Sequence, residues 1–220
     1  MNYPLFMIIN DVLLIIFGWL LGLLSPAIIA IIRDKREAKI IKAALISELQ
    51  EFRYRLMLNV YLIESKYGTL DHAFFEWAQF ILIEYEGVNS SESLLKTIGP
   101  LLKMSKDEMA KFTEMAKQQR KPNSGISLRK NSLYLLETNM GVLAKFDSIS
   151  RGRLLEIKTR VEFLNEIIED SRYYYQLSFQ NGISSGNYDI ANSNMIDSYK
   201  FYASRARDVI KIIGEILHKK

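Results

Sequence analysis

Arginines and tyrosines gather twice in this chain. "SRYYYQ" at residues 171–176 supplies Arg172, Tyr173, Tyr174 and Tyr175, and the second group is Tyr199, Tyr202, Arg205 and Arg207. Tyrosine rings stack on nucleobases and guanidinium forks bind phosphate, so these types brought together make a patch for a nucleotide, a nucleic acid or a protein partner. The same types also make an ordinary amphipathic interface, in which rings pack and hydroxyls find partners. Two long helices running antiparallel across the polar connection "SFQNGISSGNYDIANSN" bring the two groups toward each other near that connection.

Other chemistry is sparse. Glu162, Glu166 and Glu169 fall on neighbouring turns of one helix, where carboxylates can share a metal. No helix offers the matching Glu-x-x-His of a di-iron bundle, and helix surfaces routinely carry such acids as a solvated face. His72 and His218 are the only histidines and cysteine is absent, which removes disulfides, thiolate ligands, cysteine nucleophiles and any closely spaced imidazole pair. The phosphate-binding GxxxxGK[ST], the GxSxG elbow, HExxH and GxGxxG are all missing. So is the arginine–histidine pattern of helical HEPN ribonucleases, since the nearest preceding arginines are Arg207 for His218 and Arg55 for His72. We therefore expect no catalytic residue, no metal and no cofactor.

The formal charge is +4 over 220 residues, and much of the excess follows one apolar run. Val12 to Ile32 carries no charge; at about 1.5 Å per residue a helix of that length covers the roughly 30 Å hydrocarbon core of a bilayer. A cleaved signal peptide fits poorly, because no lysine or arginine precedes the run and no small-residue cleavage site follows it. Only Asp11 stands before the run, beside Asn10 at its outer edge, whereas Arg33, Lys35, Arg36, Lys39 and Lys42 form a membrane-proximal basic cluster after it. By the positive-inside rule the N-terminus lies outside and the long C-terminal part in the cytoplasm of a bacterial-type inner membrane. Gly18, Gly22, Pro26 and Ala30 recur in steps of four, a small-residue stripe along which two or more spans can approach closely, and Trp19 sits mid-span where it can face another helix.

Beyond the span, Ile41, Leu45, Leu49, Phe52, Leu56, Val60 and Ile63 predict an amphipathic helix over 33–67, read as a stalk, with Gly68 its stop and Asp71 the cap of the next helix. Short helices follow: "DHAFFEWAQFILIEYEG", ended by Gly87; "SLLKTIGPLLKMS", interrupted at Gly99 and Pro100; and "KDEMAKFTEMAKQQR", opened by a Ser105–Glu108 capping box and stopped by the loop at 121–125. Lys117, Arg120, Lys121, Arg129 and Lys130 form a second basic group around that loop, suited to anionic lipid or to solubility. Leu154, Ile157, Val161, Leu164 and Ile168, and later Tyr199, Ala203, Ala206, Ile210, Ile213 and Leu217, mark packing seams on two long helices.

The expected protein is all-α: a tail and transmembrane anchor over 1–32, continued by a cytoplasmic helical bundle over 33–220 with long antiparallel helices. Its expected partners are the lipid bilayer, further copies of itself and a cytoplasmic protein, with nucleic acid or a nucleotide a weaker prospect. The leading functional expectation is a homo-oligomeric single-pass membrane protein, perturbing or piercing the bilayer under control of its cytoplasmic part. The rival is a membrane-tethered adaptor that recruits a cytoplasmic protein or nucleotide. In architecture alone, and through no motif, such a chain is similar to small single-anchor membrane effectors of bacterial antiviral systems.

Overall fold

The computed structural model describes residues 3–87, 91–118, 125–138 and 140–218. It is helical over 84% of the chain, with seven α-helices and no strand among the described residues. They are α1 (Tyr3–Tyr67), α2 (His72–Ile83), α3 (Glu92–Leu102), α4 (Lys106–Gln118), α5 (Tyr134–Thr138), α6 (Ser148–Leu177) and α7 (Ser185–Leu217), with a 3-10 helix over Met140–Lys145. The chain divides into two units, residues 1–44 and 45–220.

The first unit is one helical stretch. From Val12 to Ile32 its large apolar side chains are all exposed. The helix runs on through Pro26, whose ring lacks a donor for the carbonyl of Gly22, four residues back, and crowds it.

The second unit has a continuous core. Leu45, Leu49, Phe52, Leu56, Val60 and Ile63 on α1 are nearly or fully buried, together with Phe74, Phe75, Ala78, Ile81 and Leu82 of α2. Burying side chains of this kind contributes about 1.5–3 kcal/mol each. The segment read as a stalk is therefore a core helix from Leu45 onward: its spacing of four and three is a packing seam, and the expected role changes because neighbours cover that seam. Glu64 ends α1, its carbonyl accepting from Gly68 N–H at 3.1 Å and its carboxylate from Thr69 N–H at 3.3 Å.

α6 and α7 run antiparallel. Arg153 pairs with Glu215, Arg160 lies 3.7 Å from Asp208, and Phe163 meets Phe201 edge-on, so residue numbers rise along one helix as they fall along the other. The seam residues of α6 are buried, as are those of α7 up to Ile213. Their connection is shorter than expected. It spans 178–184, and residues 185–194 form the first turns of α7, because Ser184 caps the helix by accepting from Asn187 N–H and Ala191 and Met195 then turn into the core. Gly182 makes the turn at φ +82°, a conformation costly for a residue with a Cβ.

Two other elements differ from expectation. α3 continues through Gly99 and Pro100 to Leu102 rather than breaking there; a proline in the last turn forfeits one hydrogen bond close to where the helix ends anyway. α2 stops at Ile83, before Gly87. The caps follow the sequence: Asp71 accepts from Phe74 N–H at 2.8 Å, and Ser105 N–H and Glu108 N–H exchange bonds with each other's side chains at 2.7 and 3.3 Å. That exchange holds the Glu108 carboxyl below its usual range. Most of the loop at 121–125 lies outside the described residues.

Candidate functional site

The arginine–tyrosine collection is built on α6 and α7, and the structure brings only part of it together. Near the C-terminal end of α6, Arg172, Tyr175 and Tyr199 converge on the irregular segment 125–133, which has no helix or strand. The Tyr199 hydroxyl accepts from Ile126 N–H at 3.0 Å and donates to the carbonyl of Ile126 at 2.9 Å. Arg172 donates to the carbonyl of Leu128 at 2.7 Å. Lys66 donates to the carbonyl of Gly125 at 3.2 Å, and Tyr67 stacks on Tyr199 with centroids 5.5 Å apart.

One layer further along, the Asn165 side-chain amide reads both backbone groups of Asn131, at 2.7 and 2.8 Å. The Asn131 and Asn59 amides both donate to the hydroxyl of Tyr202, at 3.2 and 3.0 Å, and the Tyr202 side chain is completely buried. Tyr199 and Tyr202 thus bond the protein's own chain.

The other members point elsewhere. Tyr173 is exposed and lies beside Tyr174. Arg205 covers the exposed ring of Phe201 and reaches Asp208. Arg207 pairs with Glu64 at 2.9 Å and lies over the rings of Trp77 and Phe74, tying α7 to α1 and α2. Of the second basic group, Lys130 pairs with Glu169 and Arg129 is exposed. Arg120, Lys121 and the side chain of Lys117 lie outside the described residues. Glu169 is held below the usual carboxyl range by Lys130 and Glu162 pairs with Lys158, so two of the three aligned acids face lysines.

Burial pushes the Tyr67 phenol up to about 12, with Tyr199 and Tyr175 adding to the effect, and it raises Tyr199 and Tyr202 as well. The ordinary tyrosine value is 10.0. Between there and about 12 the unfolded chain sheds the proton first, so stability falls as pH rises through that window. Lys66 is lowered from 10.5 by burial and acts oppositely, raising stability with pH below that value. Urea midpoints measured from pH 9 to 12 should therefore drop steeply only above pH 10, and Tyr67→Phe should flatten the drop. An equal drop in that variant would show that Tyr67 does not carry it.

Sequence reasoning missed a polar triad at the opposite end of α7. Arg53 is 6% exposed and donates to Glu84 at 2.7 Å; Glu84 also faces His218 Nε2 at 3.2 Å, and the Phe80 ring lies near both Arg53 and His218. A Cβ at Gly214 would come within 3.2 Å of the guanidinium, so the glycine makes room for the arginine. An arginine within an apolar periodicity, four residues after Leu49, is the only sequence signal of this site. A separate cleft of about 920 Å³ opens by the N-termini of α2 and α4, with Asp71, His72, Glu76, Lys106 and Glu114 on its walls. Carboxylates from Asp71 and Glu108 already cap those two helix ends.

On the first unit, an added Cβ at Gly18 or Gly22 meets nothing within 4 Å, and a shallow hollow is lined by Gly22, Ser25, Pro26 and Ala30. Trp19 is exposed, and of the basic residues after the run Arg33 pairs loosely with Glu37 at 4.0 Å. The side chains of Asn10 and Asp11 lie outside the described residues. Among the described residues these features define an all-helical protein with one helix long and apolar enough to cross a membrane. The chain matches no protein-family model and gives no significant match among curated proteins or solved structures.

Proposed function

We propose that this chain is a single-pass membrane protein that works through assembly. Its N-terminal helix spans an inner membrane with the N-terminus outside, and copies associate along Gly18, Gly22, Pro26 and Ala30. The resulting cluster of spans perturbs or pierces the bilayer under control of the cytoplasmic helical unit. One observation carries the reading. The apolar stretch has a mean hydropathy of 2.5 with none of it buried, and exposing that surface to water costs about 25 cal/mol per Å². Soluble core helices equally apolar are covered by their own chain; this one is not. The asymmetry between Asp11 and the basic residues from Arg33 to Lys42 sets the direction.

A membrane-tethered adaptor is the second reading, favoured by the open cleft between α2 and α4, which is roomy enough for a ligand or a partner's side chains. On that reading an unrelated span in place of residues 1–32 preserves function, whereas on the first it abolishes it.

Because the chain has no cysteine, single substitutions report topology without background. A membrane-impermeant maleimide should label Tyr3→Cys in cells whose cytoplasmic membrane is intact and Ser185→Cys only after that membrane is permeabilised. Equal labelling of both, or recovery of the protein in the soluble fraction, contradicts the proposal.

A further inference from the structure

Just after its apolar stretch, α1 sorts its charges by side. At about 100° per residue, Asp34 and Glu37 fall within about 40° of Ala30 round the helix, whereas Lys35, Arg36 and Lys39 all fall at least about 120° from it. These three cations are exposed, and among the described residues none of them has an ion pair or a hydrogen bond. Glu37 does not answer them; it faces Arg33 at 4.0 Å. The three follow Ile32 by three, four and seven residues, which at about 1.5 Å per residue puts their backbone about 5–10 Å past the apolar stretch. The headgroup layer is about 5–7 Å deep on each side of a bilayer, and the flexible stems of lysine and arginine reach along it while keeping the charge in polar surroundings.

We propose that Lys35, Arg36 and Lys39 form a site for the headgroups of anionic phospholipids, on the side of α1 away from Ala30. This inference rests on the reading of α1 as a membrane span and adds the class of lipid that the span selects. Guanidinium and ammonium groups are donors only, and phosphate oxygens accept from them in charge-assisted bonds. The phosphate of a zwitterionic headgroup carries its own cation alongside, so it answers less of this positive charge. A nucleic acid fits less well, because its binders spread positive charge over a face of the folded domain, whereas here the charge is confined to two turns of helix at headgroup depth. When spans pack along Gly18, Gly22, Pro26 and Ala30, Asp34 and Glu37 turn toward the neighbouring copy and the basic side stays on the surrounding lipid.

A variant that moves these charges without changing their number separates the face from the net charge. The combination Asp34→Lys, Lys35→Asp, Arg36→Glu, Glu37→Arg keeps every count of lysine plus arginine after the span, and with it the bias that orients insertion, but carries two of the three cations round to the Ala30 side. Full-length parent and variant are extracted from membranes in detergent, and bound lipids are counted by native mass spectrometry with phosphatidylglycerol and phosphatidylcholine added in equal amounts. At roughly fivefold per basic residue, the parent should retain the anionic lipid at least about tenfold better than the zwitterionic one, and the variant should lose most of that preference. Equal preference in both overturns the basic face as the site, since net charge then suffices, and no preference in the parent overturns the proposal outright. Millimolar inorganic phosphate should leave the bound phosphatidylglycerol in place; its displacement would mark a site for free anions and overturn lipid as the occupant. A chain recovered in the soluble fraction defeats the reading of α1 as a span, whereas membrane-extracted protein without lipid preference defeats only this inference.

Discussion

Arg53→Ala should lower the stability of the helical unit by about 3 kcal/mol, near the lower end of what breaking a buried ion pair costs. The guanidinium is almost fully buried, its Nε has no partner, and its bond to Glu84 joins α1 to the C-terminal end of α2, while Glu84 also reaches His218 just beyond α7. Truncation leaves the Glu84 carboxylate facing a void beside Gly214 with only the more exposed His218 to answer it. Glu84 keeps some solvent access, which holds the loss to the lower end of the range. For a chain of this size the change corresponds to a drop of about 6–12 °C in the thermal midpoint. Trp77 fluorescence in a Trp19→Phe background follows the transition. Arg53→Met combined with Glu84→Gln should recover much of the loss, since no charge is then stranded. A midpoint within about a degree of the parent for Arg53→Ala contradicts this account of the triad.

On the proposed function, Gly22→Ile should abolish the membrane leakage expected on expression and weaken the association constant of the spans roughly tenfold, a change of about 1.4 kcal/mol. The monomeric helix has room at that position, where an added Cβ meets no atom within 4 Å, so the variant should still insert and accumulate. What the branched side chain obstructs is close approach of a second backbone along Gly18, Gly22, Pro26 and Ala30, where small residues allow dispersion contacts that bulky ones prevent. A dye sensitive to membrane potential reads the leak. Depolarisation by Gly22→Ile as strong as by the parent removes this stripe from the mechanism, and normal potential with the parent protein fully assembled removes the leak itself.

Helix positions were legible in the sequence because local rules fix them. Leu49, Phe52, Leu56, Val60 and Ile63 repeat at a period that yields one covered face, and Asp71 and Ser105 announce two helix starts through bonds made within three residues. Helix ends were less legible. Residues 185–194 are polar and read as a loop, yet burial of Ala191 and Met195 against the rest of the unit makes them helical, which is a tertiary effect. The arginine–tyrosine patch shows the same limit. Composition placed Arg172 and Tyr199 in a patch for a ligand or partner, whereas in the structure both bond the protein's own segment 125–133, a pairing across 44 and 73 positions that no local pattern encodes. Arg205 and Arg207, two residues apart on α7, turn to different partners because successive helical side chains do not share a face.

The most direct test of assembly at the membrane is the native mass of the detergent-extracted protein across a range of concentrations. A stable closed assembly of about six or more chains that persists on dilution is expected, because a symmetric ring of single spans is what can enclose a path through a bilayer. A monomer or dimer at every concentration contradicts it.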